Sequence, residues 1–428
     1  MKLPNSWTEI QIGEMAQYIN GKAFKPSDWK NTGLPIIRIQ NLNDLNAKCN
    51  YTNSLIEEKY KIKNGELLFA WSASLGAYIW NGKEACLNQH IFKVVPYKGV
   101  NKKYLYYTLV NTVSHFYSKT HGSGIVHITK EPFEKTIATL PPLPEQHRIV
   151  NKIDKLFLEL NNSVEMLKTI KAQLTTYRQA ILKYSFEKEE YKKVKLYEIA
   201  DIIGGITKGR NLTKYETIFL PYLRVANVQD GYLDLTNIKK IELKKEEKKK
   251  YLLQKNDVLY TEGGDKDKLG RGTIWMNEIK ECVHQNHIFR ARIGTNKADP
   301  KYIALFSLTK SAKNYFLSKA KQTVNLASIN MTVLRSLPIP LPSISEQQAI
   351  VSAIESRLSV CEKLEQTIDQ TIALSASLKQ SILKKAFEGR LVPQDPNDEP
   401  AEKLLERIKA EKAAVLAKQK KVKKRGKK

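Results

Sequence analysis

Cysteine is scarce. Four residues, Cys49, Cys86, Cys282 and Cys361, stand far apart in 428 and form no C-x-x-C pair. That excludes a disulfide scaffold and a cysteine zinc site, and leads us to expect a reducing, cytoplasmic setting. No stretch approaches 18 uninterrupted apolar residues, so no membrane span is expected. The opening residues, Met1 to Trp7, lack the apolar run of a secretion signal. A phosphate-cradling G-x-x-x-x-G-K-S/T loop is missing, because Gly21-Lys22 and Gly82-Lys83 are followed by Ala and Glu. H-E-x-x-H does not occur either. The 20 Gly and 16 Pro are scattered, which excludes a collagen-like chain. Acidic charge is in deficit, with 44 Asp+Glu against 71 Lys+Arg and a net charge of +27.

What is present is a chain long enough for two or three domains, with 42% hydrophobic and 27% charged residues, as in soluble globular proteins. The final stretch from Glu411 to Lys428 holds nine basic residues and one acidic one, so most of the excess charge belongs to the folded body. A basic body points to a polyanion partner. Nucleic acid is the first candidate and an anionic membrane surface the second.

The chain is written twice. Leu140-Pro-Pro-Leu-Pro-Glu-Gln-His-Arg-Ile-Val150 matches Leu341-Pro-Ser-Ile-Ser-Glu-Gln-Gln-Ala-Ile-Val351 at an offset of 201, and the same offset aligns Gln179–Glu187 with Gln380–Glu388. Upstream lies a looser repeat. Leu34–Asn41 resembles Leu220–Asn227, and Asn88-Gln-His-Ile-Phe92 resembles Gln285-Asn-His-Ile-Phe289. The upstream domains thus keep their strands and vary their loops, and varied loops on a fixed frame are where recognition resides.

Each downstream repeat reads as a long helix. In the first, Ile149, Ile153, Leu156, Leu160, Val164, Leu167, Ile170, Leu174, Tyr177 and Ile181 recur at threes and fours. In the second, Val351, Ile354, Leu358, Cys361, Leu364, Ile368, Ile372, Leu378 and Ile382 do nearly the same. A 3.5-residue seam of this length predicts a coiled coil. Pro144 with Glu145 marks one start, Ser345 with Gln348 reads as a capping box for the other, and the second helix is expected to stop near Gly389. A helix over 145–186 would be about 63 Å long. Paired antiparallel within one chain, the two helices would make a rod with a globular reader at each end.

The upstream domains read as mixed α/β. Strands are expected at 35–42, 65–71 and 89–95, with counterparts at 222–228, 257–261 and 287–293, and helices at 103–119 and 301–319. The fold class is therefore α+β, with two similar globular domains separated by two long antiparallel coiled-coil helices. The boundaries are 1–144, 145–187, 188–342 and 343–390, then a basic tail over 391–428 that touches a partner or DNA, or is simply solvated. Lys239–Lys250 reads as a solvated helix face.

Two diverged domains, each followed by a near-identical helix opening with L-P-x-L/I-x-E-Q, resemble the DNA specificity subunit of type I restriction–modification systems. The segments Gly263–Gly272 and His284–Phe289 are similar to parts of the target-recognition domains of that family. The resemblance implies that each domain reads one part of a bipartite double-stranded DNA target. It also implies that the helices form the spacer and dock two methyltransferase subunits, which carry S-adenosylmethionine, and that a motor-nuclease subunit joins with ATP and Mg. The chain itself is then expected to hold no cofactor or metal and to catalyse nothing. The sequence agrees, since the N/D-P-P-Y/F loop of adenine methyltransferases is missing: Pro141-Pro142 sits in Leu-Pro-Pro-Leu. Asp265-Lys-Asp-Lys268 is a chance cluster in a Lys-rich chain rather than a nuclease centre. A scaffolding adaptor that binds nucleic acid without sequence preference is the alternative reading.

Duplex readers need Lys/Arg for phosphates and Arg, Lys, Asn, Gln, Ser or Thr for base edges. The matched pairs Arg38/Arg224 and Asn41/Asn227 suit a shared task, either a phosphate contact or domain architecture. Discrimination is expected where the copies differ. These places are Lys22 and Lys25, Ser72 and Ser74, and Ser123 in the first domain, then Lys208 and Arg210, Asp265, Lys266, Lys268 and Arg271 of the glycine loop, and Gln322 and Asn325 in the second. His90 and His287 sit at matching positions and read as hydrogen-bonded, partly buried histidines.

Overall fold

A computed structural model describes residues 3–44, 46–72, 74–119, 129–186, 190–264, 269–294, 296–322 and 327–425. The chain forms two compact units, Met1–Glu165 with Thr371–Lys428, and Met166–Gln370. Each unit therefore holds one globular domain and half of each long helix.

In the first unit a four-stranded antiparallel sheet runs in the order Ala16–Asn20, Ile91–Pro96, Leu67–Ala70, Gly76–Ile79. A second sheet runs Asn50–Thr52, Leu34–Ile37, Ala85–Leu87, Lys61–Ile62, with its middle pair parallel. Leu67–Ala70 is buried throughout, as an apolar run walled on both faces requires. The second unit repeats this plan. Ala200–Gly204, Ile288–Ile293, Val258–Thr261 and Gly272–Ile274 make one sheet. Lys239–Lys244, Thr217–Leu223 and Val283–His284 make the other, again with a parallel pair. A two-stranded ribbon precedes each long helix: Thr8–Gln11 with Ile137–Leu140, and Lys193–Lys195 with Pro338–Pro340. The mixed α+β class expected from the sequence is the one observed.

Several local expectations are corrected. The strand expected over 35–42 ends at Ile37, and residues Ile39–Asn43 turn into a short helix. Its counterpart spans Thr217–Leu223, followed by a 3-10 turn at Val225–Asn227. The helix expected over 301–319 is two helices, Pro300–Ser307 and Lys310–Lys319, because the Thr309 side chain caps the second by accepting from Ala312 N. Of Lys239–Lys250, the second half passes through a 3-10 turn, Lys245–Glu247, into a short helix, Lys248–Tyr251, but Lys239–Lys244 is a strand with Ile241 and Leu243 buried between exposed charged residues. That is period two, not a helix face.

The long helices are Leu143–Phe186 and Ile344–Phe387, each of 44 residues. At the first start the Glu145 carboxylate is buried and accepts from Trp7 Nε1 at 2.9 Å and Gln394 Nε2 at 2.6 Å. The second start is capped two residues earlier than expected. Ser343 N donates to Glu346 Oε2 at 3.1 Å, so the capping box is Ser343 with Glu346, not Ser345 with Gln348.

Within the first unit Ile149, Val150 and Ile153 share a core with Ile382, Leu383 and Ala386, and Lys379 Nζ donates to Asn161 Oδ1 at 2.6 Å. Within the second, Lys171 Nζ meets Asp369 at 2.6 Å and Arg178 meets Glu365 at 2.8 Å. Numbers rise on one helix as they fall on the other, so the pair is antiparallel. Four expected seam residues lie outside it: Ile170, Tyr177, Leu364 and Leu378 are 39%, 52%, 47% and 49% exposed. Their neighbours Lys171, Arg178, Glu365 and Lys379 face the partner helix instead, making the polar contacts just described.

The tail is not simply solvated. Ala401–Arg425 is a helix whose Ala401, Leu404 and Ile408 are buried in the core of the first unit. Gly99, at φ +92°, lets this helix approach closely; a Cβ there would lie 2.4 Å from Leu404 Cδ1.

Candidate nucleic-acid interface

The matched Arg–Asn pairs sit where a strand turns away from its sheet. Asn41 Oδ1 accepts from Arg38 N at 3.1 Å and its Nδ2 donates to Ala47 O at 3.1 Å. Asn227 repeats this with Arg224 N at 2.9 Å and Asp234 O at 2.8 Å. Both asparagines are 3% exposed. Their amides hold the loop backbone, so of the two tasks proposed for them the geometry gives architecture, and neither amide is open to a base or phosphate. The arginines differ. Arg38 lies 5.7 Å from the Trp29 ring, and Arg224 Nη2 donates to Asn237 O at 2.7 Å.

In the second unit, strand Val258–Thr261 runs into a two-residue strand, Gly263–Gly264, that pairs with Ala327–Ser328, itself paired with Lys321–Gln322. A cleft of about 610 Å³ opens here, lined by Val225, Glu262, Gly263, Gly264, His287, Lys321, Ala327 and Ser328. Gly263 keeps the arm close, since a Cβ there would stand 3.1 Å from Ala327 O. His287 Nδ1 meets Glu262 Oε2 at 2.5 Å, with the histidine side chain 53% exposed. Of the glycine loop, Arg271 donates from Nη1 to Gln229 Oε1 at 2.5 Å. Asp265, Lys266 and Lys268 lie outside the described residues, as do Ser123 and Asn325. Gln322 is the second residue of its strand.

The remaining candidates are spread over both units. Lys22 Nζ stands 5.6 Å from the Phe24 ring, and Lys25 is exposed. Ser72 is buried at 4% exposure. Ser74 Oγ accepts from Asn43 Nδ2 at 3.4 Å, and Asn43 Oδ1 accepts from Tyr78 OH at 2.6 Å, which ties Ser74 to the short helix that begins after Arg38. Lys208 is exposed. Arg210 is held in a two-pronged pair with Glu247, both contacts 2.9 Å, and this pulls the Glu247 carboxyl below its usual range.

Part of the positive charge is internal. Arg292 grips the buried Asp257 at 2.7 and 2.8 Å, and the buried Arg290 meets Asp201 at 2.6 Å. His284 is fully buried with Nδ1 2.9 Å from Ile288 O, and burial pushes its pKa down to about 4. Lys321 opens the varied segment that the sequence marked for discrimination, whereas neither arginine pair nor the Glu262–His287 contact was singled out, because each depends on residues joined only by strand pairing. Among the described residues no three His, Cys, Asp or Glu side chains gather as a metal site, and no helix is long and apolar enough to cross a membrane.

The domains and helices have known counterparts. The family described as "Type I restriction modification DNA specificity domain" matches residues 4–175 and 188–374. The type I restriction enzyme EcoBI specificity subunit of Escherichia coli is 28% identical, over 97% of this chain and 94% of its own length. A chain from a structural study of complex assembly and conformational transition of the type I R-M system superposes with a TM-score of 0.68 at 18% identity, covering 91% of this chain and all (100%) of its own. The crystal structure of the HsdS subunit from Thermoanaerobacter tengcongensis does so with a TM-score of 0.59 at 19% identity, covering 91% and 98%. At these identities the two solved structures speak for the fold alone.

Proposed function

The chain belongs to the type I restriction–modification DNA specificity family, and on that premise we propose that it is the non-catalytic, sequence-reading subunit of such a complex, with each domain reading one half of a split target in double-stranded DNA. The observation that carries this reading is one sheet plan used twice with different loops: the shared Arg–Asn turn builds the frame, and the loops around it differ. In the first domain Lys22, Lys25, Arg38 and Ser74 are the contacts we assign to DNA. In the second they are Lys208, Arg224, Arg271 and the glycine-loop residues Asp265, Lys266 and Lys268. Asn41, Asn227 and Arg210 we remove from that set: the two amides are buried in backbone hydrogen bonds, and both Nη atoms of Arg210 are held by the Glu247 carboxylate, whereas the bonds of Arg224 and Arg271 each run through a single Nη.

The long helices are assigned two tasks, setting the unread gap and docking two methyltransferase subunits. Apolar side chains that a solitary helix pair would hide stay exposed on them, Leu158 and Leu374 in the first unit and Met166, Tyr177 and Val360 in the second. The methyltransferase subunits would supply S-adenosylmethionine, and a motor-nuclease subunit ATP and Mg, all acting in the cytoplasm.

The test is selection of the full-length chain against a pool of randomised duplexes. The expected result is one motif of two unlike halves with a fixed gap. Retention of duplexes with no shared motif would return the alternative, a nucleic-acid scaffold without sequence preference.

A further inference from the structure

The two domains share a strand register that lets single positions be compared. In the first, Leu67–Ala70 pairs with Ile91–Pro96 so that Phe69 faces Phe92 and Ala70 faces Ile91. In the second, Tyr260 faces Phe289 and Thr261 faces Ile288. One step further, the same backbone bond closes both frames: Trp71 N donates to His90 O at 3.2 Å, and Glu262 N donates to His287 O at 2.9 Å. Trp71/His90 and Glu262/His287 therefore occupy one structural position with different chemistry.

In the second domain the position faces the glycine-arm cleft, and both side chains are accessible, Glu262 at 32% and His287 at 53% exposure. A carboxylate only accepts hydrogen bonds, so His287 Nδ1 carries the hydrogen toward Glu262 and fixes the carboxylate's orientation. Asn286 Nδ2 lies 3.5 Å from the other ring nitrogen, Nε2. The pair presents a carboxylate to the cleft, which Lys321 also lines. A phosphate would be repelled by the carboxylate. The complementary group is a hydrogen-bond donor on a base edge; in the major groove cytosine offers its exocyclic amine to a carboxylate, whereas adenine sets the N7 acceptor beside its amine, where a carboxylate has no hydrogen to give.

In the first domain the position is filled by two half-buried rings. Trp71 lies against His90 at 5.4 Å and stacks on Phe92 at 6.0 Å. Its indole Nε1 and His90 Nδ1 are buried without hydrogen-bond partners. Neither residue of this pair carries a carboxylate.

We propose that Glu262, oriented by His287, is a specificity-determining residue of the second domain that accepts a hydrogen bond from the exocyclic amine of a cytosine in one half of the target, with no equivalent contact in the other half. Glu262 is the base contact and His287 its positioning residue. This rests on the split-target reading above, and the experiment separates the two.

Full-length wild type, Glu262→Gln and His287→Ala are each selected against the same randomised duplex pool. Wild type is expected to yield a split motif with a cytosine at one position, and Glu262→Gln to lower the preference for that cytosine by about tenfold or more, leaving the other half and the gap intact. His287→Ala is expected to weaken the same position and no other. The unaltered half serves as the control for folding, because a misfolded variant would lose both. An unchanged motif for Glu262→Gln overturns the proposal, and so does a uniform loss of affinity with no change at a single position. Failure of wild type to select any split motif sinks the parent reading instead.

Discussion

Replacing Ile408 by Ala should destabilise the first domain, although in sequence Ile408 lies far beyond the last of that domain's strands, Ile137–Leu140. Its side chain is 0% exposed and shares a core with Trp7, Ile10, Met15 and Tyr97. The substitution removes three buried carbons. At about 0.8 kcal/mol each, the transfer cost is about 2.4 kcal/mol, and the residual cavity raises it to about 3 kcal/mol, within the 2–5 kcal/mol range typical of such changes. For a unit of this size each kcal/mol moves the midpoint by about 2–4 °C, so the first-domain transition should fall by roughly 6–12 °C. Leu416, on the same helix and 46% exposed, is the internal control, and Leu416→Ala should cost under about 1 kcal/mol. Scanning calorimetry of the full chain measures both, and hydrogen exchange of the Ile91–Pro96 amides assigns the transition to the first domain. Equal shifts for the two variants, or none for Ile408→Ala, would mean that the terminal helix is a solvated appendage and that its burial adds nothing to the core.

Two other outcomes follow. Deleting Val164–Ile170 together with Gln370–Ala376 removes a matched heptad from both helices, about 10.5 Å of each at 1.5 Å per residue. The selected halves should persist with a gap about three base pairs shorter, at roughly 3.4 Å per pair; an unchanged gap would refute the helices as its determinant. His284 should make the second domain acid-sensitive. Burial holds its folded pKa at about 4 against 6.5 in the unfolded chain, so the unfolded state binds the extra proton first. That stability is intact above about pH 6.5 and is lost as pH falls toward 4, on the order of 2 kcal/mol by pH 5. Chemical denaturation at pH 7.5 and 5 should show this loss in wild type and much less of it in His284→Asn, whatever that variant's own cost; the same difference in both would refute the assignment.

The repeated frame was legible from sequence because strand order and helix length leave long, ungapped traces. The faces of the long helices were less so. Apolarity picks Ile170 and Tyr177 as seam residues, yet Lys171 and Arg178 face the partner helix, where their charged ends reach Asp369 and Glu365. A shift of one residue turns a helix face by about 100°, so a few long cations suffice to mislead a pattern built on hydrophobicity. Asn41 and Asn227 misled in the opposite sense. An Asn three residues after an Arg has the chemistry of a base reader, and only the loop geometry reveals an amide that holds its own backbone. Glu262 and His287 are 25 residues apart and left no local pattern at all. A trace did exist in the comparison of the two repeats: once His90 is aligned with His287, the strand register places Trp71 against Glu262, an aromatic against an acid on an identical backbone. Residues that agree between the copies must serve what the copies share, which is the frame. Residues that disagree at a fixed register are free of that duty, and they are where two readers built on one plan acquire different targets.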